Sequence, residues 1–340
     1  MNHSDIEYIE KIEINGFLGQ KNLKWHLNKD VNILSGLNGS GKSTILDIAY
    51  HLIHAAKLPK VHREKAKSAY ITFNNTKVLE YNFIAVKDTI DNLKKKANHG
   101  DKEADHVLKI IKKNEGEEFK KIKAIEFSGQ TTIYDGKNVA NDEIGRLAKV
   151  NVISTFDTQL VPHNAIKSLS DESVHTWLDW EIYRLQNQYL DYQLQMSRKK
   201  DAIIESNNPT KDALDELKRP HNRFYEILES LFCETNKKIN KEKNTLSFLL
   251  NNKEILANQL SSGEKQLLII LLTVLLQDLN PYILFMDEPE VSLHLDWQMK
   301  LIQYIRDINP HVQIIIATHS PGIIMEGWAD KVVTINEIFQ

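Results

Sequence analysis

A glycine-rich loop between a predicted strand and a predicted helix constrains this 340-residue chain more than any other feature. The strand is predicted over 30–34 and the helix over 44–52. The loop between them reads Gly36-Leu37-Asn38-Gly39-Ser40-Gly41-Lys42-Ser43. Its glycines let backbone N–H groups curl around phosphate oxygens, and the N-terminus of the following helix adds partial positive charge. This is the P-loop pattern, which predicts an α/β fold that binds a nucleotide.

The P-loop pattern also predicts which residues hold the phosphates. Lys42 is expected to reach the β- and γ-phosphates, and the Ser43 hydroxyl is expected to ligate Mg²⁺. The other residues of the predicted phosphate cradle are Gly36, Asn38, Gly39, Ser40, Gly41 and Thr44. The predicted ligands are therefore ATP and Mg²⁺.

Composition and charge exclude several other classes of protein. The chain has 43 basic and 46 acidic residues, a formal net charge of −3, so any DNA contact needs a local basic patch. Its single cysteine, Cys233, excludes a disulfide framework and a multi-cysteine metal site. The N-terminus lacks the layout of a signal peptide, and the longest apolar run, 267–276, is shorter than the ~20 residues of a membrane span. We expect a cytoplasmic protein with no membrane partner.

The middle of the chain is predicted to contain strands and a charged insertion. Residues 68–85 and 122–134 have β-type composition with turns, and a buried strand is expected at 150–154. The segment 87–121 carries charges of both signs and is interpreted as a solvated helical insertion, with a nucleic-acid-binding arm as the alternative.

Two long helices follow, at 172–206 and 211–234, separated by the polar break 207–209. Apolar residues of the first helix are spaced as a heptad seam: Leu178, Ile182, Leu185, Tyr189, Tyr192 and Met196. Because the break between the helices is short, the pattern predicts an antiparallel helical hairpin. Beyond it, strands are expected at 237–243, 245–250, 282–286, 313–317 and 331–335.

The strand at 282–286 leads directly into two carboxylates, Asp287 and Glu288. In a chain with a P-loop this is a Walker B element. Asp287 is expected to hold Mg²⁺ through water, and Glu288 is expected to polarise the attacking water as general base.

The string Leu260-Ser261-Ser262-Gly263-Glu264-Lys265-Gln266 resembles the signature sequence of the ABC-type ATPases, which begins Leu-Ser-Gly-Gly followed by Gln or Glu. Ser262 replaces the first signature glycine. The resemblance implies that Ser261, Gly263 and Glu264 contact the nucleotide of a second copy of the chain. Taken alone, the string also predicts the N-capped start of a helix.

The same resemblance assigns the remaining site residues. His319, which follows the strand at 313–317, corresponds to the switch histidine that senses the γ-phosphate, and residues 291–294 occupy the position of the D-loop. The Q-loop glutamine, which would contact nucleotide and Mg²⁺, is assigned to Gln159, with Gln130 as the competing candidate.

The branch of the family follows from the long gap of 245 residues between Lys42 and Asp287. With a helical hairpin in that gap, the chain resembles the Rad50/SMC/RecF side of the ABC-type ATPases. The predicted fold is an α/β ABC-type ATPase head, a P-loop NTPase with a mixed sheet and helices. Its N-terminal half is placed at 1–160, the inserted hairpin at 165–236 and its C-terminal half at 237–340.

The motif strings look most like compact bacterial ATPases of the overcoming-lysogenization-defect, Septu and PARIS type, many of which act in anti-phage defence with a nuclease. The resemblance implies an ATPase that dimerises head to tail on ATP, or forms a higher oligomer. Since the chain ends at Gln340 without a nuclease domain, a separate effector, a nuclease or a toxin, is expected. The alternative is a RecF/Rad50-like DNA-repair ATPase that contacts DNA through 198–200 or 237–238; a transporter subunit is the least favoured reading.

Overall fold

The structure is a computed structural model that describes residues 6–19, 21–53, 65–82, 94–102, 131–134, 138–139, 148–154, 174–206, 210–325 and 327–340. The chain divides into two compact units. Unit 1 comprises the described parts of 1–29, 39–150 and 334–340, and unit 2 comprises those of 30–38 and 151–333.

The strands and helices of the described residues agree closely with the sequence pattern. The strands are β1 (Ile9–Phe17), β2 (Lys21–His26), β3 (Val31–Ser35), β4 (Ser68–Phe73), β5 (Val78–Asn82), β6 (Thr131–Tyr134), β7 (Asn138–Val139), β8 (Val150–Ser154), β9 (Lys237–Ile239), β10 (Ser247–Leu250), β11 (Lys253–Leu256), β12 (Tyr282–Asp287), β13 (Val312–Ala317) and β14 (Val332–Thr334). The helices are α1 (Lys42–Ile53), α2 (Trp177–Glu205), α3 (Lys211–Cys233), α4 (Ser262–Leu275), α5 (Leu295–Ile308) and α6 (Pro321–Met325).

Unit 1 is built on an antiparallel sheet in the order β2-β1-β4-β5-β6-β7. Ile12 and Ile14 of β1 are buried, while the residues between and beside them are partly exposed, so one face of the strand packs into the core. The C-terminal residues return to this sheet, where the backbone N–H of Lys24 donates to the carbonyl of Ile338 (2.7 Å). Helix α1 belongs to the same unit.

Unit 2 is built on a second sheet, in the order β14-β3-β13-β12-β8. Strands β3, β13 and β12 are parallel to one another. All residues of β12 and β13 are buried, as expected for parallel strands covered on both faces. The two units together confirm the predicted α/β class with parallel and antiparallel strands.

The register of unit 2 brings three chain segments to one edge of the sheet. Asp287 pairs with Ala317, and Ala317 pairs with Leu34. The alignment continues beyond the strands, because the N–H of Glu288 donates to the carbonyl of Ala317 (2.8 Å) and the N–H of Thr318 donates to the carbonyl of Leu34 (3.2 Å). The segments after β3, β12 and β13 therefore start side by side at the carboxyl edge, where open parallel sheets bind their ligands.

The predicted helical hairpin is present as α2 and α3. Its seam is buried at Ile182, Leu185, Tyr189 and Tyr192, and these side chains belong to the same hydrophobic core as β12, β13 and α4. The start of α2 and the chain just after α3 both contact the first turn of α4, at Lys265 and Glu264 respectively. The two helices therefore run antiparallel, as the sequence predicts.

Some predictions were wrong in extent, and others fall outside the described residues. The strand expected over 237–243 ends at Ile239, and β2, β7 and β11 were not predicted at all. Only 94–102 of the charged insertion is described, with a helical segment at 94–98. Segments 122–130 and 207–209 lie outside the described residues. Among the helices that are described, none has both the length and the apolarity to cross a membrane.

Candidate nucleotide site

The glycines of the P-loop have backbone conformations that other residues rarely adopt. Gly39 has φ of +75° and Gly41 has φ of +101°, in the region that L side chains disfavour. A Cβ on Gly41 would also lie 2.7 Å from Cζ of Phe17 in β1. Helix α1 begins immediately afterwards at Lys42, and the N–H of Ile45 donates to the carbonyl of Gly41 (3.0 Å). A glycine turn with positive φ that leads directly into a helix N-terminus suits phosphate binding.

The side chains of this loop have properties that fit a phosphate ligand. Oγ of Ser40 is buried and makes no hydrogen bond to any described residue, and a buried hydroxyl without a partner is costly. Lys42 is buried, and Nζ of Lys65 lies 3.3 Å from Oγ1 of Thr44. Lys65 was missed by the sequence analysis, because no spacing rule connects it to a loop that precedes it by more than twenty residues.

The carboxyl edge of unit 2 carries the two residues predicted for the chemical step. Nε2 of His319 lies 3.3 Å from Oε1 of Glu288, and the backbone N–H of His319 donates to Oε2 of Glu288 (3.2 Å). Glu288 has φ of +46°, an uncommon conformation for a residue other than glycine. Strained backbone of this kind clusters at functional sites, and here it turns the carboxylate toward the histidine.

The residues predicted to hold Mg²⁺ have suitable chemistry. Asp287 is the last residue of β12 and is 8% exposed, and Ser43 lies in the first turn of α1. Carboxylate and hydroxyl oxygens are the ligands Mg²⁺ prefers. The described residues contain no group of three or more His, Cys, Asp or Glu side chains placed to hold a metal. Mg²⁺ is usually bound by one or two protein oxygens together with substrate phosphates and water.

The signature sequence forms the capped start of α4. Ser261 is the N-cap: its Oγ accepts from the N–H of Glu264 (3.4 Å) and donates to Oε2 of Glu264 (2.9 Å), while its own N–H donates to the same oxygen (2.9 Å). This reciprocal pair is a capping box. Ser261 itself is exposed, so a ligand outside unit 2 can reach this residue.

Glu264 is buried and fully used within its own unit. Its Oε1 accepts from Oγ1 of Thr235 and from Nζ of Lys237, both at 2.8 Å, and the carboxylate is 1% exposed. Burial alone would raise the pKa of Glu264, but hydrogen bonds from Lys237, Ser261 and Thr235 outweigh burial and lower the pKa below its ordinary value. A carboxylate in this position fixes Ser261, and the expected contact between Glu264 and the nucleotide of a second copy stays a prediction.

A second ion pair joins the signature helix to the start of the hairpin. Nζ of Lys265 lies 2.7 Å from Oδ1 of Asp179, and both side chains are largely buried. The other oxygen of Asp179 accepts from the N–H of Thr176 (2.8 Å), which is the N-cap of α2. Burial raises the pKa of Asp179, yet the bonds from Lys265 and Thr176 leave it lowered. The signature helix is thus anchored to both helices of the hairpin.

The structure places several further residues that the sequence analysis named or missed. Gly263 packs against the backbone of Ser292, in the predicted D-loop. Glu290 and Thr318 were not predicted as site residues, although both are buried beside Glu288 and His319. The signal for Glu290 was a third carboxylate in the string Asp287-Glu288-Pro289-Glu290. Gln159 and its competitor Gln130 lie outside the described residues.

Solved structures of SMC heads resemble this fold. The SMC head bound to the C-winged helix domain of ScpA has a TM-score of 0.55 and 16% identity, over 98% of this chain and 96% of that one. An Smc head with an extended coiled coil, bound to the C-terminal domain of ScpA derived from Pyrococcus furiosus, has a TM-score of 0.53 and 14% identity, over 98% and 95%. These likenesses confirm the predicted head fold.

Two curated proteins are similar in sequence. Retron Vc95 probable ATPase from Vibrio cholerae serotype O1 biovar El Tor is 33% identical over 104 residues, which are 27% of this chain and 20% of that protein. The match therefore spans only a fifth of the retron ATPase. Septu protein PtuA from Bacillus thuringiensis is 22% identical over 347 aligned positions, covering 96% of this chain and 75% of that protein. The second match confirms the predicted resemblance to Septu-type ATPases.

The family itself is shown by a match to nearly the whole chain. The model of the AAA ATPase domain covers residues 8–324, from the first strand to helix α6. It includes the P-loop, the signature sequence, the Walker B carboxylates and His319. The chain belongs to the AAA ATPase domain family and is an ABC-type ATPase with an SMC-like head fold.

Proposed function

We propose that this protein binds and hydrolyses ATP·Mg²⁺ as a head-to-tail dimer and thereby controls a separate effector. The observation that carries the proposal is the contact between Glu288 and His319 at the carboxyl edge of β12 and β13. A carboxylate oriented by an imidazole can accept a proton from an attacking water. His319, on the next segment, would sense the γ-phosphate. Lys42, Ser43 and Asp287 would hold ATP·Mg²⁺, and the bound metal would neutralise charge on the phosphates.

The signature sequence supports the dimeric part of the proposal. Ser261 is an exposed residue at the N-terminus of α4, where helix geometry also favours an anion. The turn is stabilised by Glu264, whose carboxylate accepts hydrogen bonds from Thr235 and Lys237. In the family that the sequence resembles, this turn caps the γ-phosphate of a second copy. ATP would then join two copies, and hydrolysis would release them.

The catalytic role of Glu288 has a direct test. Glu288→Gln should bind ATP with unchanged affinity, lose at least about 10²-fold in turnover, and accumulate as an ATP-dependent dimer in light scattering. Glu254→Gln is the matched control, because Glu254 lies on β11 and pairs with Lys243. Normal hydrolysis by Glu288→Gln would remove Glu288 from its assigned role.

The trans role of Ser261 needs a separate variant. Ser261→Arg should abolish both turnover and ATP-dependent dimerisation while fluorescent-ATP binding to the monomer persists. Ser262→Arg, at the next exposed position, tests whether bulk alone is responsible. Loss of nucleotide binding by Ser261→Arg would contradict the assignment to a second copy.

The effector part of the proposal rests on similarity to Septu protein PtuA and to a retron ATPase. We propose a role as sensor or scaffold in bacterial anti-phage defence, with a nuclease or toxin as the controlled partner. Co-expression with the product of the adjacent reading frame, followed by purification with and without ATP, tests it. A stable complex whose toxicity depends on Glu288 is expected. Failure of the adjacent gene product to associate, together with unchanged phage sensitivity of cells that carry both genes, would count against this role.

Direct DNA binding remains the alternative. Each of the two predicted basic patches, 198–200 and 237–238, has one lysine in an ion pair. Lys199 pairs with Asp278, and Lys237 pairs with the buried Glu264. These contacts leave Arg198, Lys200 and Lys238 as the candidate phosphate-binding residues. Affinity for bare DNA that falls steeply with salt, and falls further in Lys238→Ala, would favour the repair role.

A further inference from the structure

Glu290, three residues after Asp287, accepts several hydrogen bonds from the chain that carries His319. Its Oε1 accepts from the hydroxyl of Thr318, from the N–H of His319 (3.3 Å) and from the N–H of Ser320 (3.1 Å). Glu290 is 9% exposed and Thr318 is 0% exposed. One carboxylate oxygen, just before the D-loop, thus accepts hydrogen bonds from three consecutive residues of the 318–320 turn.

A second set of hydrogen bonds links the 318–320 turn to Gln298 of helix α5 and, through it, to the D-loop. The N–H of Ser320 donates to Oγ1 of Thr318 (2.8 Å), and Oγ of Ser320 donates to Oε1 of Gln298 (2.5 Å). The amide nitrogen of Gln298 donates to the carbonyl of Leu293 (2.9 Å), and the N–H of Gly322 donates to Oγ of Ser320 (3.0 Å). The turn is therefore held from the D-loop side and from helix α5 together.

The other carboxylate oxygen of Glu290, Oε2, is buried in the protein. Oε2 is buried and has no hydrogen-bond partner among the described residues, so the carboxylate does not present a free oxygen to a ligand at the surface. The three hydrogen bonds to Oε1 connect Glu290 to the reaction through the backbone that it holds. That backbone carries His319, whose ring and N–H both contact Glu288.

We propose that Glu290 is a positioning residue that fixes the 318–320 turn and so keeps His319 against Glu288. The proposal rests on the proposed function, in which Glu288 and His319 act on ATP. Because Glu290 immediately precedes the D-loop, displacement of that loop would remove the three hydrogen bonds to Glu290 and loosen the turn that carries His319. An anionic acceptor suits this position, since hydrogen bonds to an ionised carboxylate are stronger than those to neutral groups.

Hydrogen exchange of the nucleotide-free protein tests the contact without reference to ATP. Glu290→Ala should raise the exchange rate of the peptide containing the amides of His319 and Ser320 by about tenfold or more, because it removes one of the two acceptors of each amide and loosens the turn. Thr318→Val keeps the side-chain volume and removes the hydroxyl that donates to Glu290 and accepts from the N–H of Ser320, so it serves if Glu290→Ala does not fold. Glu337→Ala is the matched control: Glu337 also accepts a backbone N–H, from Thr334 (2.6 Å), near the C-terminus.

Steady-state kinetics then separate positioning from simple loss of stability. Glu290→Ala should lower kcat by about 10- to 100-fold, the range expected for a misplaced catalytic group, while KM for ATP changes less than about twofold and bound-ATP stoichiometry stays that of the wild type. Glu290→Gln retains an acceptor oxygen and should recover most of kcat. Thr318→Ser should likewise retain turnover that Thr318→Val loses.

The outcomes distinguish this inference from the proposed function. Unchanged exchange at 318–320 in Glu290→Ala and in Thr318→Val would refute the contact itself. Faster exchange with normal kcat would refute the positioning role while leaving the ATPase intact. A wild-type protein without ATPase activity, with Glu288→Gln indistinguishable from it, would refute the proposed function and the positioning role together, whereas the exchange measurement would still decide the contact.

Discussion

Gly263 of the signature sequence faces the carbonyl oxygen of Ser292 so closely that a Cβ built on the glycine would lie 2.3 Å from that oxygen. Ser292 itself has φ of +70°, so the D-loop turns sharply at this contact. Trp297 at the start of α5 closes the other side, with Cζ3 at 3.8 Å from the added carbon. The glycine is thus required by packing within its own chain, whatever a second copy contacts.

Gly263→Ala should disturb both stability and turnover. The added methyl overlaps backbone, which cannot yield as a flexible side chain would, and overpacking of this kind costs about 1–3 kcal/mol of unfolding free energy. Since the D-loop must shift, we expect turnover to fall while ATP binding is retained. Urea unfolding and ATPase rates measure the two effects. Ser262→Ala, at the exposed preceding position, should change neither the free energy of unfolding nor the rate; an equally stable and active Gly263→Ala would contradict the packing argument.

Lys237→Met should destabilise unit 2. The substitution leaves the buried carboxylate of Glu264 without its charged partner, and losing such a bond costs roughly 1–3 kcal/mol. Lys238→Met is the control, because its side chain is exposed on the neighbouring position of β9. Urea unfolding of Lys237→Met, Glu264→Gln and the double variant gives the coupling energy. Strict additivity of the two single changes would show that the pair contributes nothing.

Acid should weaken the same contact in a defined direction. The pKa of Glu264 in the folded chain is lowered from its ordinary 4.5, so its contribution to stability is complete above that value. The contribution is lost as pH falls through the lower folded pKa, because protonation is more favourable in the unfolded chain. The stability difference between wild type and Glu264→Gln should therefore be largest near neutral pH and shrink below about pH 4.5. A difference independent of pH would rule out an ionised Glu264.

The motifs were predictable because each depends on residues close together in sequence. The P-loop, the capping box of Ser261 and Glu264, and the carboxylates after β12 all follow local rules. Strand order then follows from parallel pairing, so the meeting of Glu288 and His319 at one sheet edge could be expected from two apolar strands and the polar residues after them.

What the sequence did not predict depends on contacts across long stretches of chain. Lys237 reaches Glu264, and Asp179 reaches Lys265, after the hairpin has returned to the head. The sequence does not show which lysine of a charged segment is buried, and Lys237 was expected to lie in a surface patch. Glu290 was similarly hidden, because its three donors belong to a turn that lies nearly thirty residues later.

The P-loop offers a paired test of steric fit. Gly39 and Gly41 both have positive φ, but a Cβ on Gly39 meets nothing within 4 Å, whereas on Gly41 it meets the ring of Phe17 at 2.7 Å. Gly39→Ala should therefore cost about 1–2 kcal/mol of backbone strain, and Gly41→Ala should cost about 1–3 kcal/mol more from overpacking.

Phe17→Leu removes the ring atoms that the new methyl would strike. Although this change alone destabilises a buried position, the double variant Gly41→Ala/Phe17→Leu should lose less free energy of unfolding than the sum of the single changes, because residues in contact are not additive. In the double variant Gly39→Ala/Phe17→Leu, the loss of unfolding free energy should equal the sum of the two single losses. Thermal or urea unfolding of the five variants measures these differences. Additivity in both pairs would show that Gly41 is required for its φ alone and that the approach of Phe17 is not limiting.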